Sequence, residues 1–117
     1  MTIVEELADA ALARDALRVR SIAQQLGRSG QSFESLPRPL GNAVREIVSA
    51  ALLDLIAVRK SLVSPSWTQD VGQLSEPFHL LAAADRMPRL RAQCERDSPL
   101  PLRLRNLFAP ADFLDEV

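Results

Sequence analysis

Residues 42–63, NAVREIVSAALLDLIAVRKSLV, are the stretch that decides the fold. Val44, Ile47, Val48, Ala51, Leu52, Leu55, Ile56 and Leu62 return at the spacing of a helix, so they form one wide apolar stripe over about six turns. Asn42 stands where an N-cap is needed, its side-chain oxygen able to accept from an otherwise unpaired N–H of the first turn. A stripe this wide needs cover on several sides, which predicts a long central helix with the rest of the chain packed around it. Arg45, Glu46, Asp54, Arg59 and Lys60 interrupt the stretch. A membrane span needs about 20 largely uncharged residues, so this one is read as a buried core helix.

Toward the N-terminus, Thr2 and Glu5 have the spacing of a capping box. Val4, Leu7, Ala8, Ala11 and Leu12 then recur helically, as do Ala16, Val19, Ile22, Ala23 and Leu26. Asp15 lies where these stripes meet, either facing solvent on one long helix or capping a second. Gly27 and Gly30 end the pattern, as glycines do past a helix C-terminus. Residues 28–39, RSGQSFESLPRP, read as a loop, with Pro37 and Pro39 holding their predecessors extended.

Toward the C-terminus, residues 64–75 form a connector containing the only tryptophan, Trp67. Beyond it prolines set the rhythm. Pro is tolerated at the first helical position, where its missing N–H would be unpaired anyway. Pro77–Ala84, Pro88–Arg96, Pro99–Asn106 and Ala111–Asp115 are therefore predicted as short helices, with Asp85 and Ser98 as cap candidates. Leu100, Leu102 and Leu104 alternate as a strand would, but without β-branched neighbours the helix is preferred. No pair of strands is predicted. The expected architecture is a single all-α domain: an N-terminal helical segment over 1–35, the helix over 42–63, and short helices and a tail over 76–117.

The chain has 117 residues, enough to bury a core without disulfides or a metal. With 47% apolar and 25% charged residues it falls among globular proteins. Fourteen basic and fifteen acidic residues nearly cancel, which argues against bulk nucleic-acid binding while leaving room for a local patch. Cys94 is the lone cysteine, so no intramolecular disulfide can form. The opening residues, MTIVEELADA, lack a basic segment followed by an apolar one, so no secretory signal is read there and a cytoplasmic location is expected.

Chemistry is sparse. One histidine, His79, and one cysteine cannot supply an ordinary His/Cys zinc site. His79 is read as a hydrogen-bonded, partly buried side chain and Cys94 as a small core residue. Glu5 and Glu6 are explained by their place at a helix start, where negative charge is favourable. No glycine-rich phosphate loop is present. The expectation is a protein with no enzymatic activity and no cofactor.

Two features suggest binding. Ser21–Leu36 spaces Ile22, Ala23, Leu26, Gly27, Phe33 and Leu36 in the manner of a helix-turn-helix, whose second helix would read DNA through Arg28, Gln31 and Ser32. Against this, Gly30 and Pro37 leave room only for a short second helix, and few basic residues stand beside it for phosphates. The second feature is a charge excess. Within residues 86–106, Arg86, Arg89, Arg91, Arg96, Arg103 and Arg105 face only Glu95 and Asp97. Arginine favours forked pairing with carboxylates or phosphates. Either the set is solvated and pairs with Asp112, Asp115 and Glu116, or it meets an acidic protein or a nucleic acid.

The landmarks Leu-Pro-Arg-Pro (Leu36–Pro39), Pro65 with Trp67 and Thr68, Glu-Pro-Phe (Glu76–Phe78), Ser98–Arg103 and Ala109–Leu114 occur in an order that resembles a group of small bacterial proteins. These are antitoxin-like proteins encoded beside nucleotidyltransferase-type toxins. The resemblance spans residues 36–114 and carries no catalytic signature. It implies a non-enzymatic protein partner that masks or positions a toxin's active site. Trp67, Phe78, Phe108 and Phe113, with Arg86, Arg89, Arg103 and Arg105, are then the partner-binding candidates, being residue types enriched at interface hot spots. Some proteins of this kind carry an N-terminal DNA-binding domain, for which the first 35 residues here are too short.

Overall fold

The capping box forms as expected. In the structure, a computed structural model that describes residues 1–28 and 32–117, Thr2 caps a helix, α1, over Ile3–Leu12, and the Glu5 carboxylate accepts from the Thr2 backbone N–H. Asp15 resolves as a cap. Arg14 takes a positive φ of 58°, the chain turns, and the Asp15 carboxylate accepts from the Arg18 N–H at 3.1 Å to open α2, Ala16–Arg28. The helix runs through Gly27, so that glycine is no stop.

The decisive stretch forms α3, Ala43–Lys60, with Asn42 accepting from the Arg45 N–H at 3.1 Å. Val48, Ala51, Leu52, Leu53, Leu55 and Ile56 are almost wholly buried. The helix ends three residues short of Val63, because Ser61 adopts a left-handed conformation and the Leu62 N–H turns back to the Ala57 carbonyl at 2.9 Å. α1 and α2 pack against each other and on α3. Arg45 fixes α1 to α3 by gripping Asp9 with Nε and Nη2, at 2.9 and 2.7 Å, and Glu5 with Nη1, at 3.0 Å.

The C-terminal half departs from the expected run of helices. Pro77–Ala84 is not a helix. Phe78–His79 forms a strand, β1, paired in parallel with Leu107–Phe108, β2, in the register Phe78 to Leu107 and His79 to Phe108. The Phe78 and Leu80 N–H groups bond the carbonyls of Asn106 and Phe108 at 3.0 and 2.9 Å, which gives this backbone its partners without a helix. A 3-10 turn comes next, at Ala82–Asp85. α4 then spans Pro88–Asp97, and α5 is the single turn Leu100–Arg103 in place of the helix expected over Pro99–Asn106. Residues 111–116 form turns in place of the helix expected over Ala111–Asp115.

The two cap candidates serve other ends. Asp85 pairs with Arg14. Ser98 lies at the C-terminal end of α4, its buried hydroxyl set between the carbonyls of Cys94 and Ala109 and accepting from the Ala109 N–H at 2.9 Å. One hydrophobic cluster draws in residues from Val4 to Val117, and the Cα radius of gyration is 13.2 Å, that of a compact chain of this length. Among the described residues the fold is mostly helical, and no helix is long and apolar enough to cross a membrane.

Candidate functional site

α4 is amphipathic in an unusual sense: very little of it is apolar. Cys94 is buried and Leu90, four residues earlier, is half-buried, so this pair marks the inward face. Arg89 and Arg96 fall away from that face, and they and Gln93 are exposed. Two attachments hold the helix down. Ser98 ties its last turn to Ala109. His79 Nε2 and Glu95 Oε1 lie 3.0 Å apart, linking β1 to α4, and Arg91 approaches the same carboxylate oxygen at 3.4 Å. Burial pushes the Cys94 thiol pKa up, with the Glu95 and Asp97 carboxylates adding to the effect. The sulfur is therefore kept as a thiol, a far poorer nucleophile than the thiolate.

Two arginines of α4 are compensated locally: Arg91 by Glu95, and Arg96 by a forked pair with Asp97 at 3.1 Å. Arg86, Arg89 and Arg103 have no carboxylate partner within 4 Å among the described residues, and all three are exposed. Arg86 precedes α4, Arg89 sits in its first turn, and Arg103 lies against its far end, donating to the Arg96 carbonyl at 3.0 Å. Three exposed guanidinium groups thus stand at or beside the two ends of α4. The tail carboxylates suggested as internal partners do not meet it. Arg20 and Arg59 fasten the tail instead, and they do so through its backbone carbonyls.

Arg105 leaves this set. Its side chain keeps only 11% of its exposure, pairs with Asp54 at 3.0 Å and donates to the Thr68 carbonyl at 2.6 Å. The four aromatic candidates are likewise held by the fold. Trp67, Phe78 and Phe113 pack on the core, and Trp67 donates to the Leu36 carbonyl at 2.9 Å. The Phe108 ring lies 5.3 Å from that of His79, and the Arg14 guanidinium covers Phe78 at 5.1 Å.

The helix-turn-helix candidate finds little in the described residues. α2 ends at Arg28, an exposed side chain resting on the Gln24 carbonyl at 3.4 Å, and Gln31 lies outside the described residues. Ser32 is exposed, but it leads into a single 3-10 turn, Phe33–Ser35, with Phe33 and Leu36 buried. Over Ser32–Leu36 no recognition helix is formed.

A second surface carries no signal in the sequence. The end of α3 and α5 flank an open groove of about 390 Å³, lined by Val58, Leu62, Leu100, Pro101 and Leu104, with the Asp54–Arg105 pair among its walls. Neither His79 nor Cys94 lines it. Among the described residues no three His, Cys, Asp or Glu side chains gather as a metal site would require. No family model, no curated protein and no solved structure matches the chain.

Proposed function

We propose that the chain is a non-enzymatic protein-binding module that acts in the cytoplasm as the antitoxin-like partner of a bacterial nucleotidyltransferase-type toxin. The observation that carries this reading is that the guanidinium groups of Arg86, Arg89 and Arg103, at the two ends of α4, are exposed and have no carboxylate partner among the described residues. The order of landmarks over residues 36–114 supplies the partner's class. Each free guanidinium offers a planar fork that fits a carboxylate with two parallel hydrogen bonds. Three such groups attract an acidic surface and speed its approach at low salt. α4 suits this work because its inward face is fixed by Ser98, Cys94 and the His79–Glu95 contact. Arg89 thus projects from a held helix, with Arg86 just before it and Arg103 against its far end.

The test is a pull-down of the tagged chain from its native host at moderate salt, with titration of the recovered partner against Arg89→Glu combined with Arg103→Glu. Both side chains are exposed, so the variant should melt as the wild type does. The expected result is one near-stoichiometric nucleotidyltransferase-like partner that the double variant no longer holds. Equal binding by the double variant, or recovery of nucleic acid in place of a protein, defeats the proposal.

A further inference from the structure

Residues 111–117, ADFLDEV, cross from α3 to α2 without a backbone-to-backbone hydrogen bond to either helix among the described residues. Ala109, just before them, is fixed from both sides, its N–H and its carbonyl meeting the Ser98 hydroxyl at 2.9 and 3.0 Å. Past Pro110 the backbone pairs only locally, the Phe113 N–H with the Pro110 carbonyl and the Asp115 N–H with that of Asp112. Two arginine side chains fasten the segment. Arg59 of α3 donates to the carbonyls of Ala111 and Phe113, and Arg20 of α2 to those of Asp115 and Glu116. Leu114 and Val117 are buried on the core, and Phe113 packs beside them. Leu114 and Glu116 take φ values of 57° and 58°, left-handed backbone that side chains other than glycine's adopt at a cost.

We infer that this segment is a displaceable strap, and that the α2–α3 surface beneath it binds an acidic peptide of a partner protein, with carboxylates set among aromatic or aliphatic anchors. An unfinished contact at Arg59 is the first reason. Its Nη2 serves two strap carbonyls at 3.0 Å each, while its Nε is buried without a hydrogen-bond partner. Those two nitrogens share one edge of the guanidinium. Arg45 uses the same edge to grip the Asp9 carboxylate, at 2.9 and 2.7 Å. A carboxylate at Arg59 would take both N–H groups in that way, whereas the neutral strap carbonyls leave one buried donor unmet.

Charge is the second reason. Arg20 and Arg28 on α2, and Arg59 and Lys60 on α3, have no carboxylate within 4 Å among the described residues. Arg28 and Lys60 line a hollow of about 250 Å³ together with Gln24 and Val117. Cations suit the last turn of a helix, which accounts for Arg28, Arg59 and Lys60 taken singly. It does not account for Arg20, within α2, or for all four bordering one short segment. The strap itself shows which anchors fit: Phe113, Leu114 and Val117 turn inward, while Asp112, Asp115 and Glu116 stay exposed and reach none of the four cations. A partner peptide with the same apolar pattern and a carboxylate at Arg59 would satisfy both, and so would displace the strap.

The test uses the full chain and a fluorescein-labelled synthetic peptide copying residues 111–117 with Ala111→Asp. Fluorescence anisotropy is read on the wild type, on Leu114→Ser combined with Val117→Ser, which unseats the strap, and on that variant with Arg59→Gln added. The peptide should bind the unseated variant about tenfold or more tighter than the wild type, because a closed strap leaves few molecules competent to bind. Adding Arg59→Gln should undo about tenfold of that affinity, and a control peptide with Asn and Gln for its acids should bind about tenfold more weakly than the acidic one. Should circular dichroism show the unseated variant unfolded, heteronuclear NMR of the wild type decides: the acidic peptide at ~2 mM should move the amides of residues 111–117 and leave those of α1 in place. No binding, equal binding of the control peptide, or strap amides that stay put overturns the inference. A wild type that dimerises by exchanging straps, seen in sedimentation velocity, assigns the surface to a second copy and overturns it too. Arg89→Glu should leave the peptide's affinity unchanged, which separates this surface from capture of an acidic partner through α4.

Discussion

Replacing Asp54 by alanine should destabilise the fold far more than any exposed carboxylate would, because it strands Arg105. The two side chains keep 21% and 11% of their exposure and meet at 3.0 Å, and Arg105 also holds the Thr68 carbonyl while its Nε has no partner. Removing one member of a buried pair costs about 3–5 kcal/mol, since the remaining charge is left uncompensated. The residual exposure here places the expected cost near the lower limit, ~3 kcal/mol. For a domain of this size that lowers the melting temperature by about 12 °C. Arg105→Met should cost less, ~1–2 kcal/mol, because the abandoned Asp54 carboxylate can take water from the groove. Asp54→Leu combined with Arg105→Met should return to within ~1 kcal/mol of wild type, apolar replacements of both partners being well tolerated. The assay is urea unfolding monitored by circular dichroism and by the fluorescence of Trp67, which neighbours the Thr68 carbonyl that Arg105 holds. A cost below ~1 kcal/mol for Asp54→Ala, or losses that simply add in the double variant, would show that water still solvates the pair.

Leu52 is fully buried in α3, and Leu52→Ala should cost ~3–4 kcal/mol, read as a lower urea midpoint with an unchanged slope. Hydrogen bonds from Thr2 first, and then the nearby Arg45, hold the Glu5 carboxyl below its ordinary 4.5, just as Arg14 holds Asp85 below 3.8. Groups lowered on folding stabilise above their unfolded values and lose that contribution as pH falls through the folded ones. The melting-temperature gap between wild type and Glu5→Gln should therefore be full at neutral pH and close as pH drops below 4.5, and a gap that widens on acidification would contradict the pairing. Cys94, 1% exposed, should react with Ellman's reagent in urea but not in the folded chain.

The helical half of the molecule is legible in the sequence because its signals are local. Thr2 with Glu5, Asn42 before an apolar stripe, and proline opening α4 each act within a turn or two of chain. Boundaries are less legible: no residue type announces that Ser61 will take a left-handed conformation, and Gly27 has the chemistry of a stop yet lies inside a helix. The strand pair is invisible for a deeper reason. An antiparallel hairpin leaves a turn signature between its strands, whereas parallel strands are joined by a long crossover. Here α4 and α5 fill the chain between β1 and β2, so the partners of Phe78 and His79 lie about 29 residues away in sequence, beyond the reach of any local signal. Proline before Phe78 suits a helix start as well as it suits a strand entry, and the hydrogen bonds that decide the matter come from Asn106 and Phe108.

The candidate site shows the same division between local and distant information. Counting charges in residues 86–106 finds the arginine excess but cannot sort its members, because each guanidinium's fate depends on what the fold sets beside it. Arg96 is answered by the next residue, Asp97, at the helix end, and Arg91 by Glu95 four residues on, the second a pairing that helical spacing can anticipate. Arg105 is answered by Asp54, 51 residues away, which no spacing rule reaches. Arg103 and Arg105 are two apart in sequence, and one faces solvent beside α4 while the other is shut against α3. They should therefore fail differently. Arg103→Glu should abolish capture of an acidic partner without moving the melting temperature. Arg105→Glu, which sets two carboxylates against each other in a nearly closed site, should weaken the fold itself. Equal behaviour of the two would mean that the Asp54 contact does not separate them, and that the arginines of this segment act as one solvated set.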